Sequence, residues 1–268
     1  MFGNRSWQMS WAQVTGSMHI KKQMPCQDAI CYNHFEDGSF VCAMADGHGS
    51  GACLYSDEGA KLATSIAVSL IEEMSFHNTN EALYELLKQT KEINLPQQIE
   101  KKWKEAVSYQ HRLKGRVPQS GKGLYELYGT TLMLFFITAS FIYALQIGDG
   151  DLLLVEETGK VQYVLETPIS YGVETHSLCE HNCWHYAKSI CMPLVNDFKI
   201  KLFLMSTDGY ANSFISTEDF LKVGSDYLNL IHQVAPETLE AALPIWLMEA
   251  SKIGSGDDIT LALIYQKE

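Results

Sequence analysis

The chain has 268 residues, of which 46% are hydrophobic and 19% are charged, an ordinary balance for a globular protein with enough apolar material for a core. The formal net charge of −12 argues against a nucleic-acid-binding surface, which needs a basic stripe. The seven cysteines include no C-x-x-C pair, and the first residues lack an apolar signal core, so we expect reduced thiols and a cytoplasmic location.

The first half of the chain predicts three strands followed by a helical block. The strands are expected at 11–16, 29–34 and 40–45. Apolar residues at helical spacing predict one helix from about Cys53 to Met74, and a second from Glu81 to Leu113 that Pro96 breaks or kinks. Glycine, proline and polar residues predict a loop at 115–123.

The second half begins with a dense β region. Its strands are expected at 128–137, 141–147, 151–156 and 161–165, with a hairpin turn at 158–160 between the last two. Residues 166–196 are expected to be irregular, and a strand enters at 198–206. Helices are predicted at 217–223 and 237–253 and a final strand at 259–265; Pro236 suits a first helical turn, whereas Pro244 is a misfit inside its helix.

One apolar run, 131–147, is almost long enough to cross a membrane. It is interrupted by polar and small residues near 138–140, and β-branched and aromatic residues dominate it. A transmembrane helix needs about 20 predominantly apolar residues. Two buried strands joined by a tight turn are therefore the better interpretation, and we expect no membrane association.

The order of these elements predicts the fold class. Strands come in consecutive runs and helices in separate blocks, which favours an α+β fold with antiparallel sheets over an alternating Rossmann-type fold. No linker, repeat or low-complexity segment interrupts the chain. We therefore expect one domain over residues 1–268.

Five aspartates follow or precede apolar runs that read as strands, and four of them lie beside a glycine. They are Asp28, Asp46, Asp149, Asp208 and Asp257. Carboxylates at equivalent strand ends are expected to converge at one edge of a sheet assembly, where they cannot all be ionised without a cation between them. Asp and Glu oxygens are the ligands that Mg²⁺ and Mn²⁺ prefer. The pattern therefore predicts a hard-metal site.

The motif DGHG at 46–49 adds a second kind of chemistry. Two divalent ions can activate a water and stabilise an in-line displacement at phosphorus, but a leaving alkoxide also needs a proton. His48 can act as a general acid near neutral pH, and Gly47 lets the backbone approach a metal with its carbonyl. Each motif alone is more often a turn or a helix cap. Their joint occurrence favours a catalytic site over these structural interpretations.

The combination resembles the metal-dependent protein phosphatases of the protein phosphatase 2C family. The motifs that carry the resemblance are DGHG at 46–49, GTT at 129–131, GD at 148–149, STDG at 206–209 and DDIT at 257–260. They span nearly the whole chain in the family's order, and PCQDA at 25–29 is similar to a bacterial branch. The resemblance implies a four-layer α-β-β-α sandwich of two antiparallel sheets flanked by helices, with the metals at one end.

The resemblance also implies a role for each residue. Two Mn²⁺ or Mg²⁺ ions would be bridged by Asp46, and the Gly47 carbonyl would bind one of them. Asp208 and Asp257 would complete the other ion's shell, and Asp28 would contact the cluster largely through water. Asp149 would bind a third ion, and His48 would act as the general acid.

Two departures from the family pattern concern the phosphate site and the motif expected to hold the third ion. The family usually places a phosphate-binding arginine five residues before the first aspartate, where this chain has Gln23. We expect Lys21 or Lys22 to bind the phosphate instead; solvated loop lysines are the alternative. The motif that would hold the third ion departs from the family pattern as well. It includes an aspartate, Asp151, which either adds to that ion's outer shell or faces solvent.

Residues 166–196 hold a cluster of cysteines and histidines that the family does not explain. It comprises His176, Cys179, His181, Cys183, His185 and Cys191. The spacing fits no common zinc finger, so a short substrate-side flap with incidental thiols is the preferred interpretation and a zinc site the alternative.

The leading functional hypothesis is a phosphoserine/phosphothreonine protein phosphatase that uses a metal-activated water, forms no phosphoenzyme and acts as a monomer on phosphorylated proteins. Two alternatives stay open. One is a catalytically weak regulatory or phosphoprotein-binding protein on the same fold, and the other is a small-molecule phosphomonoesterase.

Overall fold

The computed structural model describes residues 7–89, 95–117, 119, 121–165, 175–194 and 199–266. Contacts divide the chain into two compact units. The first unit comprises Met1–Asp28, Gly150–Pro168 and Val195–Glu268, and the second comprises Ala29–Asp149 and Ile169–Leu194. Each unit contains one five-stranded antiparallel sheet, and the expectation of a single domain over 1–268 stays a prediction.

The first unit is built on the sheet β1-β10-β9-β6-β7. Its strands are β1 (Trp7–Val14), β6 (Asp151–Glu156), β7 (Val161–Tyr163), β9 (Ile200–Ser206) and β10 (Ile259–Gln266). Its helices are α1 (Ser17–Lys22), α5 (Asp208–Ala211), α6 (Thr217–Ile231) and α7 (Pro236–Ile253). Leu239, Leu243 and Leu247 recur every four residues on one face of α7 and pack in one buried cluster with sheet residues such as Leu261 and Leu263.

The second unit is built on the sheet β2-β3-β4-β5-β8. Its strands are β2 (Ala29–His34), β3 (Phe40–Ala45), β4 (Leu132–Ile137), β5 (Phe141–Ile147) and β8 (Lys188–Pro193). Its helices are α2 (Ser56–His77), α3 (Asn80–Lys88) and α4 (Leu95–Leu113). Ala60, Ala63 and Ala67 of α2 share a buried cluster with Val41 and Ala43 of β3, because small side chains let this helix approach the strand closely.

The sheet registers bring the motif-bearing strand ends together within each unit. In the first unit, β10 lies between β9 and β1. Ser206 at the end of β9 pairs with Leu261, and Val14 at the end of β1 pairs with Ile259. In the second unit, Leu132 at the start of β4 pairs with Ile147 at the end of β5. Each unit therefore gathers its own motifs at one edge of its own sheet.

Most predicted elements are confirmed. The apolar run 131–147 folds as β4 and β5 with a turn at 138–140, and among the described helices none combines the length and apolarity needed to cross a bilayer. The predicted helix 81–113 is two helices, α3 and α4. Pro96 lies in the first turn of α4, where its missing N–H costs nothing. Pro244 does lie inside α7.

Four predictions need correction. The helix predicted at 217–223 is α6, which continues to Ile231. Residues 188–193 form the strand β8, not irregular structure; it is an edge strand of mixed exposure, so its apolar signal is weak, and Pro193 is tolerated at its end. The first strand ends at Val14, and the short helix α1 follows at Ser17 without a side-chain N-cap to announce it. Residues 128–131 lie outside β4: Tyr128 ends a short 3-10 helix, and 129–131 pair locally with the loop that follows β3.

Candidate metal centre

Asp28 is the point at which three motifs of the first unit meet. Its carboxylate is buried, with only 2% of the residue exposed. One oxygen, Oδ2, accepts hydrogen bonds from Thr207 Oγ1 at 2.8 Å and from Thr260 Oγ1 at 2.7 Å. The other, Oδ1, is buried and makes no hydrogen bond within the described residues. A buried carboxylate oxygen without a donor is the kind of group that a cation, directly or through water, satisfies.

The electrostatics around Asp28 support the same assignment. Burial raises the pKa of Asp28 well above its usual range, and the neighbouring carboxylates of Asp258 and Asp208 raise it further, while the two threonine hydroxyls oppose the shift. Crowded acids with a raised pKa are relieved when a divalent cation binds among them. The residues of this cluster therefore fit a hard metal held by oxygens.

Asp208 stands at the start of α5, directly after β9. Asn212 Nδ2 donates a hydrogen bond to Asp208 Oδ2 at 3.0 Å, which orients the carboxylate. Gly209 beside it leaves no room for a side chain, because a Cβ there would lie 2.1 Å from the carbonyl oxygen of Asp258. Glycine at position 209 is thus required by the close approach of the backbone that carries Asp258.

Asp258 is a residue of this cluster whose role sequence reasoning missed. It is buried, and its oxygens accept short hydrogen bonds of 2.6 Å from the backbone amides of Gly16 and Gln27. It therefore ties the segment after β1 to the start of β10. The available signal is the doubled aspartate of the DDIT motif, in which the family resemblance gives a role to Asp257 alone.

In the second unit, the loop after β3 is joined to the segment before β4. Asp46 N donates to Thr131 Oγ1 at 3.0 Å, and Asp46 O accepts from Thr131 N and Thr130 Oγ1, both at 2.8 Å. Gly47 forms a β-bridge with Thr130. The GTT motif is therefore the clamp that fixes the backbone of the DGHG motif, and with it the carbonyl of Gly47.

His48 is half-buried beside Gly129. Its backbone N–H donates to Gly129 O at 3.1 Å, and a Cβ at position 129 would lie 2.8 Å from His48 Cδ2. Burial lowers the pKa of His48, whereas the carboxylates of Asp149 and Glu180 raise it and only partly offset the burial. The imidazole is thus held in a defined place, and burial favours its neutral form.

A protein-family profile described as "Protein phosphatase 2C" matches residues 15–248. The chain belongs to the protein phosphatase 2C family. The match includes Asp28, Asp46, Asp149 and Asp208 and ends before Asp257 and Asp258. Among curated proteins, none matches this sequence significantly.

Solved structures similar to this chain include bacterial phosphatases of the same kind. Stp1 from Staphylococcus aureus, a serine/threonine phosphatase, is 12% identical over 97% of this chain and 95% of that chain, with a TM-score of 0.64. The catalytic domain of PstP, solved with two manganese ions, is 14% identical over 98% and 99%, with a TM-score of 0.59. A bacterial serine phosphatase is 13% identical over 97% and 98%, with a TM-score of 0.64. These likenesses confirm the predicted α+β fold.

Asp149, which the family pattern assigns to a third ion, lies in the second unit next to a glycine of constrained conformation. Gly148 adopts a left-handed φ of 113°, and a Cβ there would lie 2.6 Å from Thr131, so only glycine fits. The side chain of Thr175 donates a hydrogen bond to Asp149 Oδ2. Asp151 is buried at the start of β6 in the first unit, so it does not simply face solvent.

The two lysines expected to bind phosphate lie on the last turn of α1. Lys21 and Lys22 are both exposed, and Gln23, which replaces the usual arginine, caps the helix with a left-handed φ of 56°. The structure thus places two exposed positive charges next to the segment that leads to Asp28. Their role in binding phosphate stays a prediction.

The cysteine and histidine cluster is dispersed in the second unit. Cys183 is buried, and Cys191 lies on β8 with its thiol directed at the carbonyl of Tyr84. His176 stacks on Tyr186, with ring centroids 3.8 Å apart. Within the described part of the chain, no three of these side chains bring ligand atoms close enough to hold one ion, which disfavours the zinc alternative.

Proposed function

We propose that this protein is a serine/threonine protein phosphatase that hydrolyses phosphoserine and phosphothreonine and depends on Mn²⁺ or Mg²⁺. The observation that carries the proposal is the buried Asp28 carboxylate, on which the motifs around Asp208 and Asp257 converge and whose second oxygen has no donor among the described residues. Membership of the protein phosphatase 2C family supports the same reaction.

When bound, a pair of divalent cations supplies charge to the phosphoryl oxygens and activates the water nucleophile. The family pattern assigns Asp46 as the bridging ligand, the Gly47 carbonyl as a ligand of one ion, and Asp208 and Asp257 as ligands of the other. Asp28 would act through water, and Asp149 would serve a third ion. Two sets of hydrogen bonds support these roles, because they fix the metal-binding oxygens before a cation binds. They are the GTT clamp on Asp46 and Gly47 and the threonine hydroxyls on Asp28.

The proton and the phosphate need groups of their own. We assign His48 as the general acid that donates a ring-nitrogen proton to the departing serine or threonine oxygen, because its ring is held against Gly129 and an imidazolium can donate a proton near neutral pH. Lys21 and Lys22 would hold the substrate phosphate by charge, without the bidentate fork of an arginine.

Location and assembly are part of the same proposal. All seven cysteines are free thiols, which suits a reducing compartment, and we place the protein in the cytoplasm as a monomer. Light scattering coupled to size exclusion tests the second statement: a mass near 30.1 kDa is expected, and twice that mass would contradict it.

The deciding experiment compares p-nitrophenyl phosphate with a phosphothreonine peptide, each with Mn²⁺ and with EDTA, for the wild type and Asp46→Asn. Both activities are expected to need Mn²⁺ and to be lost in the variant. Asp57→Asn is the matched control, since among the described residues the recorded side-chain partner of this aspartate is the exposed Lys61. Activity that survives both EDTA and Asp46→Asn overturns the two-metal mechanism. Metal-dependent activity on the small ester alone favours a small-molecule phosphomonoesterase, and no activity on either favours a binding protein.

A further inference from the structure

His19 lies between two carboxylates of the first unit, and neither the sequence motifs nor the roles above account for it. It is carried by α1 and is 8% exposed. Its Nδ1 lies 3.0 Å from Asp258 Oδ1, and its Nε2 lies 3.8 Å from Asp257 Oδ1. The three side chains are close enough together to be compatible with a shared cation. The ring is thus placed next to a proposed metal ligand.

Asp258 fixes one side of the ring. Its two oxygens are already engaged by the backbone amides of Gly16 and Gln27, so this carboxylate cannot turn toward another partner without breaking a 2.6 Å hydrogen bond. His19 Nδ1 approaches Asp258 closely but makes no directed hydrogen bond among the described residues. Asp258 therefore acts as a fixed neighbour that sets where the ring lies.

Asp257 is the less constrained of the two carboxylates. Half of its side chain is exposed, and its Oδ1 accepts a hydrogen bond from the backbone N–H of Asp258 at 2.9 Å. The Nε2 of His19 faces that same oxygen. Asp257 Oδ1 thus has one backbone hydrogen bond and an imidazole nitrogen at ion-pair distance, and both favour one orientation of the carboxylate, as a ligand of a divalent cation requires.

The backbone around this contact is equally tight. A Cβ on Gly16 would lie 2.3 Å from the carbonyl carbon of Asp257, and Met18 N donates to Gly256 O at 2.9 Å. Ser251 Oγ accepts from Ser17 N at 3.0 Å and donates to Asp257 O at 2.8 Å. The start of α1 therefore moves together with the backbone of Asp257, so the distance from the His19 ring to the carboxylate is well defined.

We propose that His19 is a positioning residue for Asp257, holding its carboxylate in the orientation that binds the divalent cation. This inference rests on the proposed function, in which Asp257 is a ligand. Partners of metal ligands outside the coordination shell typically change metal affinity by about 10–100-fold when they are removed. At 3.8 Å, Nε2 and Oδ1 are within ion-pair distance but not hydrogen-bonded, so a small rotation of either side chain is needed to close the contact.

The test uses three variants and measures the Mn²⁺ dissociation constant by calorimetry, with kcat as a second readout. His19→Gln places an amide near the position of Nε2, whereas His19→Asn places it nearer Nδ1, and His19→Ala supplies none. We expect Ala and Asn to weaken Mn²⁺ binding by about 10–100-fold, and Gln to recover most of the loss. His77→Ala, at the exposed end of α2, is the control.

Other outcomes separate the competing explanations. Equal losses in all three variants would mean that the ring serves only packing, and unchanged Mn²⁺ binding in His19→Ala would likewise overturn the proposal. Nitrogen coupling from a directly bound imidazole, in the electron spin-echo spectrum of the Mn²⁺-loaded wild type, would make His19 a ligand instead. Wild type that binds no Mn²⁺ overturns the proposed function itself. If His19→Ala fails to fold, the comparison of Gln with Asn still decides.

Discussion

Thr260 and Asp28 lie 232 positions apart in the chain, and Thr260 Oγ1 donates a hydrogen bond of 2.7 Å to Asp28 Oδ2. Thr207 donates a second hydrogen bond to the same oxygen. The threonines are the T of the STDG and DDIT motifs, so one buried carboxylate joins three motifs of the first unit. The two threonines beside the proposed ligands therefore hold the carboxylate of Asp28, which we propose contacts the metal ions largely through water.

Thr260→Val tests the contribution of its hydrogen bond to the buried Asp28 carboxylate. The substitution keeps the volume but removes one donor from a buried carboxylate, which costs about 1–3 kcal/mol when a buried polar group loses its partner. We expect the free energy of unfolding, measured with urea in EDTA, to fall by that amount. Thr260→Ser keeps the hydroxyl and should lose much less; a loss as large as that of valine would assign the effect to the missing methyl group instead.

Gly129→Ala tests the placement of His48. The added methyl would lie 2.8 Å from His48 Cδ2 and 3.3 Å from Cys53 Sγ, so the imidazole must move. A displacement of about 1 Å can cost up to about 100-fold in rate, and we expect kcat to fall far more than substrate affinity. Gly51→Ala is the control, because nothing lies within 4 Å of a Cβ there. Unchanged kcat would contradict the close packing of the ring.

The sequence predicted the strand ends, and with them the candidate site, for a physical reason. Strands such as β3 and β5 are continuous apolar runs, and an aspartate next to a glycine marks where each run stops. Once the fold class is antiparallel, neighbouring strand ends must meet. The five aspartates could therefore be proposed as a site without knowing any distance.

The roles of Asp258 and His19 could not be predicted in this way. Both depend on which backbone amides and carboxylates the folded chain brings within about 3 Å, a question of tertiary register that no local pattern carries. The helix α1 shows the same limit: it has six residues and no side-chain cap, so its stability comes from contacts such as Ser17 with Ser251.

Glu58 gives the second unit a pH-dependent contribution to stability. Burial opposes its ionisation, but hydrogen bonds from Arg116, Lys114 and Gln110 outweigh that and lower the pKa of Glu58 from 4.5 to about 2. Because the folded pKa lies below the unfolded one, ionised Glu58 stabilises the fold above pH 4.5. That contribution is lost as the pH falls from 4.5 toward 2.

We therefore expect Glu58→Gln to lower the free energy of unfolding at neutral pH, and the difference from wild type to shrink as the pH falls below 4.5. Urea unfolding at a series of pH values measures this. Glu73→Gln, in which the lost partner is an exposed lysine 3.2 Å away, should show a small difference at every pH. A gap between wild type and Glu58→Gln that does not change with pH would refute the assignment.

Lys21→Ala combined with Lys22→Ala tests the phosphate site. A hydrogen bond to a charged group contributes about 1.5–3 kcal/mol, so losing the contact is expected to raise KM for a phosphopeptide at least about tenfold. The Mn²⁺ dissociation constant should stay the same, because neither lysine is a metal ligand. Lys101→Ala combined with Lys102→Ala removes the same charge from α4 and is the matched control. An unchanged KM in the first variant would leave these residues as solvated lysines.

His48→Ala tests whether this side chain protonates the leaving group. A threonine alkoxide is a poor leaving group and needs a proton as the bond to phosphorus breaks, whereas p-nitrophenolate leaves without one. General acid catalysis contributes about 10²–10⁴-fold, so kcat for a phosphothreonine peptide should fall by that factor, and kcat for p-nitrophenyl phosphate should change little. His77→Ala should leave both rates unaltered. A loss of equal size on both substrates would assign His48 to metal or water positioning instead of proton transfer.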